Sequence, residues 1–176
     1  WTGTYTPNAD VEDTSNVVTL ATTYTDIAGN AGPTATTANY TIDTSAPTVS
    51  SFTTTTASGS YKQNDTVEIT ANTNKAIQNG NTITVTLSDS CGTVTLTALS
   101  AGTTLVGTYI VEAGHTSAGL TVSSFAIGTV ADTAGNAMTS TTLPDASSIF
   151  GSKTIVIDTT APAFSEISLT TNTSVN

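Results

Sequence analysis

Val130-Ala131-Asp132-Thr133-Ala134-Gly135-Asn136, followed by Ile155-Val156-Ile157-Asp158-Thr159-Thr160-Ala161-Pro162, is the second use of a pattern this chain has already shown once. The first runs Tyr24-Thr25-Asp26-Ile27-Ala28-Gly29-Asn30 and then Tyr40-Thr41-Ile42-Asp43-Thr44-Ser45-Ala46-Pro47. Upstream, Gly3-Thr4-Tyr5 answers Gly107-Thr108-Tyr109 at nearly the same distance from the Asp-x-Ala-Gly-Asn loop. Self-similarity at a fixed spacing marks a repeat architecture. Asp43 to Asp158 is 115 positions by subtraction, a normal length for one seven-stranded sandwich. Residues 1–44 then read as the last strands of one repeat, 45–158 as a complete repeat, and 159–176 as the first strand of another.

The composition makes those repeats all-β. Thr, Ser, Ala, Val, Gly and Asn dominate, charged residues are only 9%, and strand formers alternate with turn formers. Thr82-Ile83-Thr84-Val85-Thr86-Leu87 alternates with period 2, which buries one face and wets the other. Strands are expected over 48–56, 66–71, 82–88, 93–99, 103–111, 121–130 and 153–157, strands A to G of an antiparallel β-sandwich repeated in tandem. Turns such as Asn79-Gly80-Asn81 and Ser90-Cys91-Gly92 separate them. Half a sandwich leaves an open face and open edges, so the terminal pieces call for strands from the same or adjacent chains. Beginning at Trp1 with no initiator Met and no basic, apolar leader, the chain reads as a processed or excised piece.

Thirteen carboxylates stand against Lys62, Lys75 and Lys153, with no arginine, for a formal charge of −10. Such a surface repels a phosphate backbone, which excludes nucleic acid as a partner. No run approaches the about 18 apolar residues of a membrane span. Cys91 is the single cysteine, so no internal disulfide forms, and a small buried hydrophobe is the expected role.

The Asp-x-Ala-Gly-Asn loop followed by an Asp-Thr-x-Ala-Pro junction resembles the bacterial immunoglobulin-like repeats of large secreted surface adhesins, including Bap-like biofilm proteins and type I secreted adhesins. That resemblance covers essentially the whole chain. It implies an extracellular, cell-surface stalk whose calcium ions sit between domains and limit bending.

Strand direction places the acidic loops independently of any family. In a seven-stranded antiparallel sandwich the B–C, D–E and F–G turns share the pole where the domain begins, and A–B, E–F and the end of G share the other. Asp132 to Asn136 is the F–G turn of the complete repeat and so faces the linker carrying Asp43. Residues 8–16 of the preceding repeat read as an E–F loop at the same junction, adding Glu12 and Asp13. Calcium takes six to eight oxygens in irregular geometry and suits such a meeting of Glu12, Asp13, Asp43, Asp132 and Asn136. Magnesium wants a tighter octahedron, and one His and one Cys are too few for zinc or copper. The competing reading is a self-bonded turn, Asp and Asn closing on their own backbone with Gly135 supplying the tight bend. A second calcium junction is expected from Asp158 and Asp65 with Glu112 or His115, and Asp26 and Asn30 would face a domain before Trp1.

The remaining residues carry ordinary roles. His115 lies at no triad spacing from a Ser or Cys and reads as a solvated loop residue, and Gly-x-Ser-x-Gly, His-Glu-x-x-His and P-loop patterns are missing, so no enzyme is expected. Trp1 and Tyr5 suit a core more than a sugar platform. Thr53 to Thr56 lacks the short regular period an ice-binding face needs. The Asn39 and Asn64 glycosylation patterns are chance matches. The reading is a calcium-stiffened structural spacer whose partners are neighbouring repeats. The alternatives are a self-assembling fibre subunit joined by strand addition, and a module that binds a host or matrix glycan or protein, as an adhesin tip or phage fibre does.

Overall fold

The computed structural model describes residues 2–168. Trp1, and residues 169–176 of the strand expected over 159–176, lie outside them. Thirteen strands alternate with turns, and one short 3-10 turn at Ala146–Ser148 is the only helical element among the described residues.

The first unit is an antiparallel ribbon. β1 (Glu12–Asn16) pairs with β4 (Tyr40–Asp43), and β2 (Thr19–Leu20) pairs with β3 (Ala35–Thr36). A Thr25–Ala31 bridge closes the tip around Asp26–Asn30. The loop expected over residues 8–16 is therefore a strand from Glu12 onward. Its side chains are nearly all exposed, so no burial face imposes the alternation by which a strand is read from sequence.

The second unit holds the core. In β5 (Val49–Thr53), β7 (Thr66–Ile77), β8 (Thr82–Leu87), β9 (Thr93–Thr97), β10 (Gly102–Ile110) and β12 (Val122–Thr129), apolar residues point one way and Thr, Ser and Asn the other. These six strands form one sheet in the order β12-β8-β9-β10-β7-β5. Its two edge strands meet across the core, where the rings of Phe52 and Phe125 pack edge to face with centroids 5.8 Å apart. The sheet is rolled until its ends face each other, as a right-handed twist accumulated over six strands allows. Gly107 sits at the roll, because a Cβ there would lie 2.6 Å from both the Leu96 side chain and the Thr95 carbonyl oxygen of β9.

A small second sheet, β11 (Thr116–Ser117), β13 (Ile155–Asp158) and β6 (Gly59–Tyr61), closes the sandwich, with β6 parallel to β13. The expected strand over 48–56 thus ends at Thr53, and the chain crosses to the other sheet at Gly59. The core, from Val49 and Phe52 to Ile155 and Ile157, is drawn entirely from residues of this unit.

β7 also runs further than expected. Its pairing with β10 jumps from Asn72↔Thr104 to Ile77↔Gly102, so Thr73–Ala76 bulges out of the ladder. Bulges re-aim side chains at sheet ends. Asn74 fixes this one by exchanging bonds with Thr48, its backbone N–H to the Thr48 carbonyl at 3.0 Å and its Oδ1 accepting the Thr48 N–H at 2.7 Å. The bulge carries Lys75 to the pole shared by the 78–81 and 130–137 turns, which are tied by the Gln78 amide donating to the Asp132 carbonyl at 2.9 Å.

Candidate functional site at the junction of the two units

Asp132-Thr133-Ala134-Gly135-Asn136 folds into a closed loop. Asp132 Oδ1 accepts the N–H groups of Ala134 at 3.0 Å and Asn136 at 2.8 Å, and its Oδ2 accepts the Asn136 side-chain amide at 2.9 Å. Gly135 has φ +98°, the left-handed bend that brings Asn136 back over Asp132. Asp26–Asn30 repeats this pattern, with the Asn30 N–H and side-chain amide both 2.9 Å from the Asp26 carboxylate and Gly29 at φ +89°. The Asn30 side-chain bond holds the Asp26 carboxyl below its ordinary range. In both copies the self-bonded turn is formed.

At Asp132 the turn does more than satisfy itself. The Asn136 amide reaches across to the linker and donates to the Asp43 carbonyl at 3.1 Å and to Asp43 Oδ1 at 3.2 Å. Asp132 is 1% exposed, and Lys75 Nζ lies 3.2 Å from its Oδ2. The same ammonium bonds Asp43 Oδ1 and lies 2.9 Å from the Ser45 carbonyl oxygen, 3.0 Å from Ser45 Oγ and 3.6 Å from Glu12 Oε2. Lys75 therefore ties together the ribbon, the linker and the sandwich.

The electrostatics follow from this crowding. Burial pulls the Lys75 ammonium toward neutrality, but bonds from Asp43 and Asp132 and the field of Asp43 and Glu12 outweigh it and raise its pKa. Burial likewise works against the Asp132 carboxylate. The Asn136 side-chain and backbone bonds, followed by Lys75, overcome it and bring its pKa down to about 2. Both groups stay charged across the physiological range.

Of the residues expected at this junction, Glu12, Asp43, Asp132 and Asn136 are brought together. Asp13 is not: on β1 it opposes Ile42 while Glu12 opposes Asp43, so it faces away, and its Oδ1 accepts the Ser15 N–H at 2.9 Å. Lys75 was missed. A signal was present, since a lysine just before the B–C turn falls at the pole already assigned to the acids, and the chain has only two others.

The residues expected at the second junction do not converge. Asp65 closes on Lys62, whose N–H and ammonium lie 2.9 and 3.2 Å away and lower its pKa. Asp158 accepts the Thr160 N–H at 2.9 Å, and Glu112 lies 3.9 Å from His115 Nε2. His115 is more enclosed than a solvated loop residue, stacking on Tyr109 and bonding its hydroxyl through Nδ1 at 2.7 Å. Burial, then a bond with Cys91, raises the Tyr109 pKa. Cys91 is buried as expected. Among the described residues, no three His, Cys, Asp or Glu side chains form a group able to hold a metal ion by themselves.

Residues 1–42 match the bacterial Ig-like domain family. No curated protein and no solved structure matches the chain. The Ig-like match covers the whole ribbon up to Ile42, including the Asp26–Asn30 turn. The sandwich unit repeats that turn and the following linker, and its rolled antiparallel sheets give the chain an all-β, Ig-like architecture. No helix among the described residues is long and apolar enough to cross a membrane.

Proposed function

We propose that this chain is a spacer segment from the stalk of an extracellular bacterial adhesin or surface filament, stiffened where consecutive Ig-like units meet. The observation that carries the reading is the Lys75 cage, in which one ammonium is held by Asp43 and Ser45 of the linker, Glu12 of one unit and Asp132 of the next. A contact sharing donors and acceptors among three segments resists bending in every direction, which a single hinge contact does not. The Ig-like match supports a surface or extracellular module, and such modules typically carry no catalysis.

The proposal divides the chain as 1–44, the end of one repeat; 45–158, a complete repeat; and 159–176, the start of another. Phe164 and Ile167 support the last boundary. They fall one period after Val49 and Phe52, which are buried in the core, yet they are 93% and 80% exposed.

Calcium belongs to the same proposal. Three carboxylates around one ammonium leave two unbalanced negative charges, and Glu12 opens onto solvent, where a hard divalent ion finds oxygens. Thermal melts with added calcium and with a chelator test this part. A higher midpoint in calcium, reversed by chelation, is the expected result. A midpoint indifferent to both removes calcium and leaves Lys75 as the junction's cation. Small-angle scattering tests the spacer itself, with a rod-like profile expected and a broad, flexible distribution contradicting it.

The self-assembling reading draws on a separate observation: Val17, Val18, Leu20 and Ile27 are exposed along the ribbon. Concentration-dependent polymerisation of the chain would favour it over the spacer.

A further inference from the structure

The linker after the ribbon and the linker after the sandwich are built alike. Asp43 Oδ1 accepts the Ser45 N–H at 3.2 Å, and Asp158 Oδ1 accepts the Thr160 N–H at 2.9 Å. Thr44 Oγ1 donates to the Asn8 carbonyl at 2.7 Å and accepts the Val11 N–H at 2.9 Å. One period later, Thr159 Oγ1 donates to the His115 carbonyl at 2.9 Å and accepts the Gly114 N–H at 3.1 Å. Each linker therefore leaves its sheet with the Asp carboxylate held in an Asx turn and the next Thr pinned to the preceding loop.

What differs is the covering. Asp43 is engaged by Lys75 and Asn136, and Pro47 is buried beneath the joint. Asp158 is exposed, has no partner beyond Thr160 among the described residues, and Pro162 is exposed in Pro47's place. A cleft of about 330 Å³ opens there, lined by Lys62, Gln63, Asp158, Thr159, Thr160 and Pro162. Lys62 does not claim Asp158, because its ammonium is paired with Asp65 at 3.2 Å.

We propose that this far pole, centred on Asp158, is a docking site for an Ig-like pole that brings a lysine on its second-strand bulge and an Asp–Asn turn. That is the pole the sandwich already presents to residues 2–44. The acceptor atoms are the free Asp158 oxygen and the Thr160 carbonyl and hydroxyl, the counterparts of the Asp43 and Ser45 groups that hold Lys75. The ammonium enters the cleft and the carboxamide caps the linker carbonyl of Asp158. One group differs: Thr116 opposes Asp158 where Glu12 opposes Asp43, so the second joint has one carboxylate fewer and closes with a nearer balance of charge.

The inference rests on the spacer reading, and one sample separates the two. Residues 46–160 are duplicated in frame, so that 1–160 is followed by 46–176 and a second sandwich, whose core is self-contained, follows Thr160. Residual dipolar couplings are then measured for the ribbon and both sandwiches. A single alignment tensor is expected for all three bodies. Asp158→Asn in the first copy, or Lys75→Met in the second copy alone, is expected to give the second sandwich its own tensor while shifts inside each core stay unchanged. Glu112→Gln, which leaves the Lys62–Asp65 pair in place, should leave the shared tensor intact. A second sandwich that reorients independently without any substitution, or a shared tensor that survives Asp158→Asn, overturns the docking site. Independent motion of the ribbon against the first sandwich overturns the spacer reading instead.

Discussion

A single side chain decides the character of the junction. Lys75 has four anionic or carbonyl neighbours from three segments, and burial makes its contacts with Asp43, Asp132 and the Ser45 carbonyl stronger than a surface ion pair, while Glu12 stays open to solvent. Its pH behaviour is bounded on both sides. Asp132, with its pKa lowered to about 2, contributes order that is present above the unfolded carboxylate value and is lost as pH falls from about 4 toward 2. Lys75, with its pKa raised, contributes order that is complete below the unfolded lysine value of about 10.4 and disappears as pH climbs through the folded one. The Asn136 side-chain amide signals, followed by NMR from pH 2 to 12, should hold steady between these limits and move outside them. Movement centred near neutral pH would mean that some other group controls the joint. The acids of this cage were readable from strand direction alone, because alternating poles place loops before any coordinates exist. The same rule puts Lys75 at that pole, but its contact with the acids depends on a bulge that period-2 alternation cannot announce, and Asp13 was misplaced because an exposed strand looks like a loop.

At the level of elements, alternation marked β8, β9, β10 and β12 to within a residue or two, since each buries one face against the core. It did not reveal the crossover at Gly59 or the rolling of the large sheet. Both depend on long-range closure: β6 is three residues of Gly, Ser and Tyr, and it becomes a strand only through its parallel partner β13. Two substitutions test the closure. Phe52→Ala empties the point where the sheet's edge strands meet and should cost about 3–5 kcal/mol in denaturant unfolding. Gly107→Ala forces a methyl against the β9 backbone and should cost about 1–3 kcal/mol, although it removes no contact. If Gly107→Ala is neutral, the roll is looser than the Leu96 and Thr95 distances indicate.

For the molecule as a whole, the proposed division rests on the internal period of the sequence, and the largest cluster of buried apolar residues runs from Val49 to Ile157. The same period carries the argument about function, because a rod is a sum of joints and its stiffness is set at each one. A stiff rod requires that the first joint fix its two bodies. Residual dipolar couplings collected separately for residues 2–44 and 46–158 measure that directly. One common alignment tensor in the natural sequence, splitting into two in Lys75→Met with both units still folded, is the predicted result; two independent tensors in the natural sequence would contradict it.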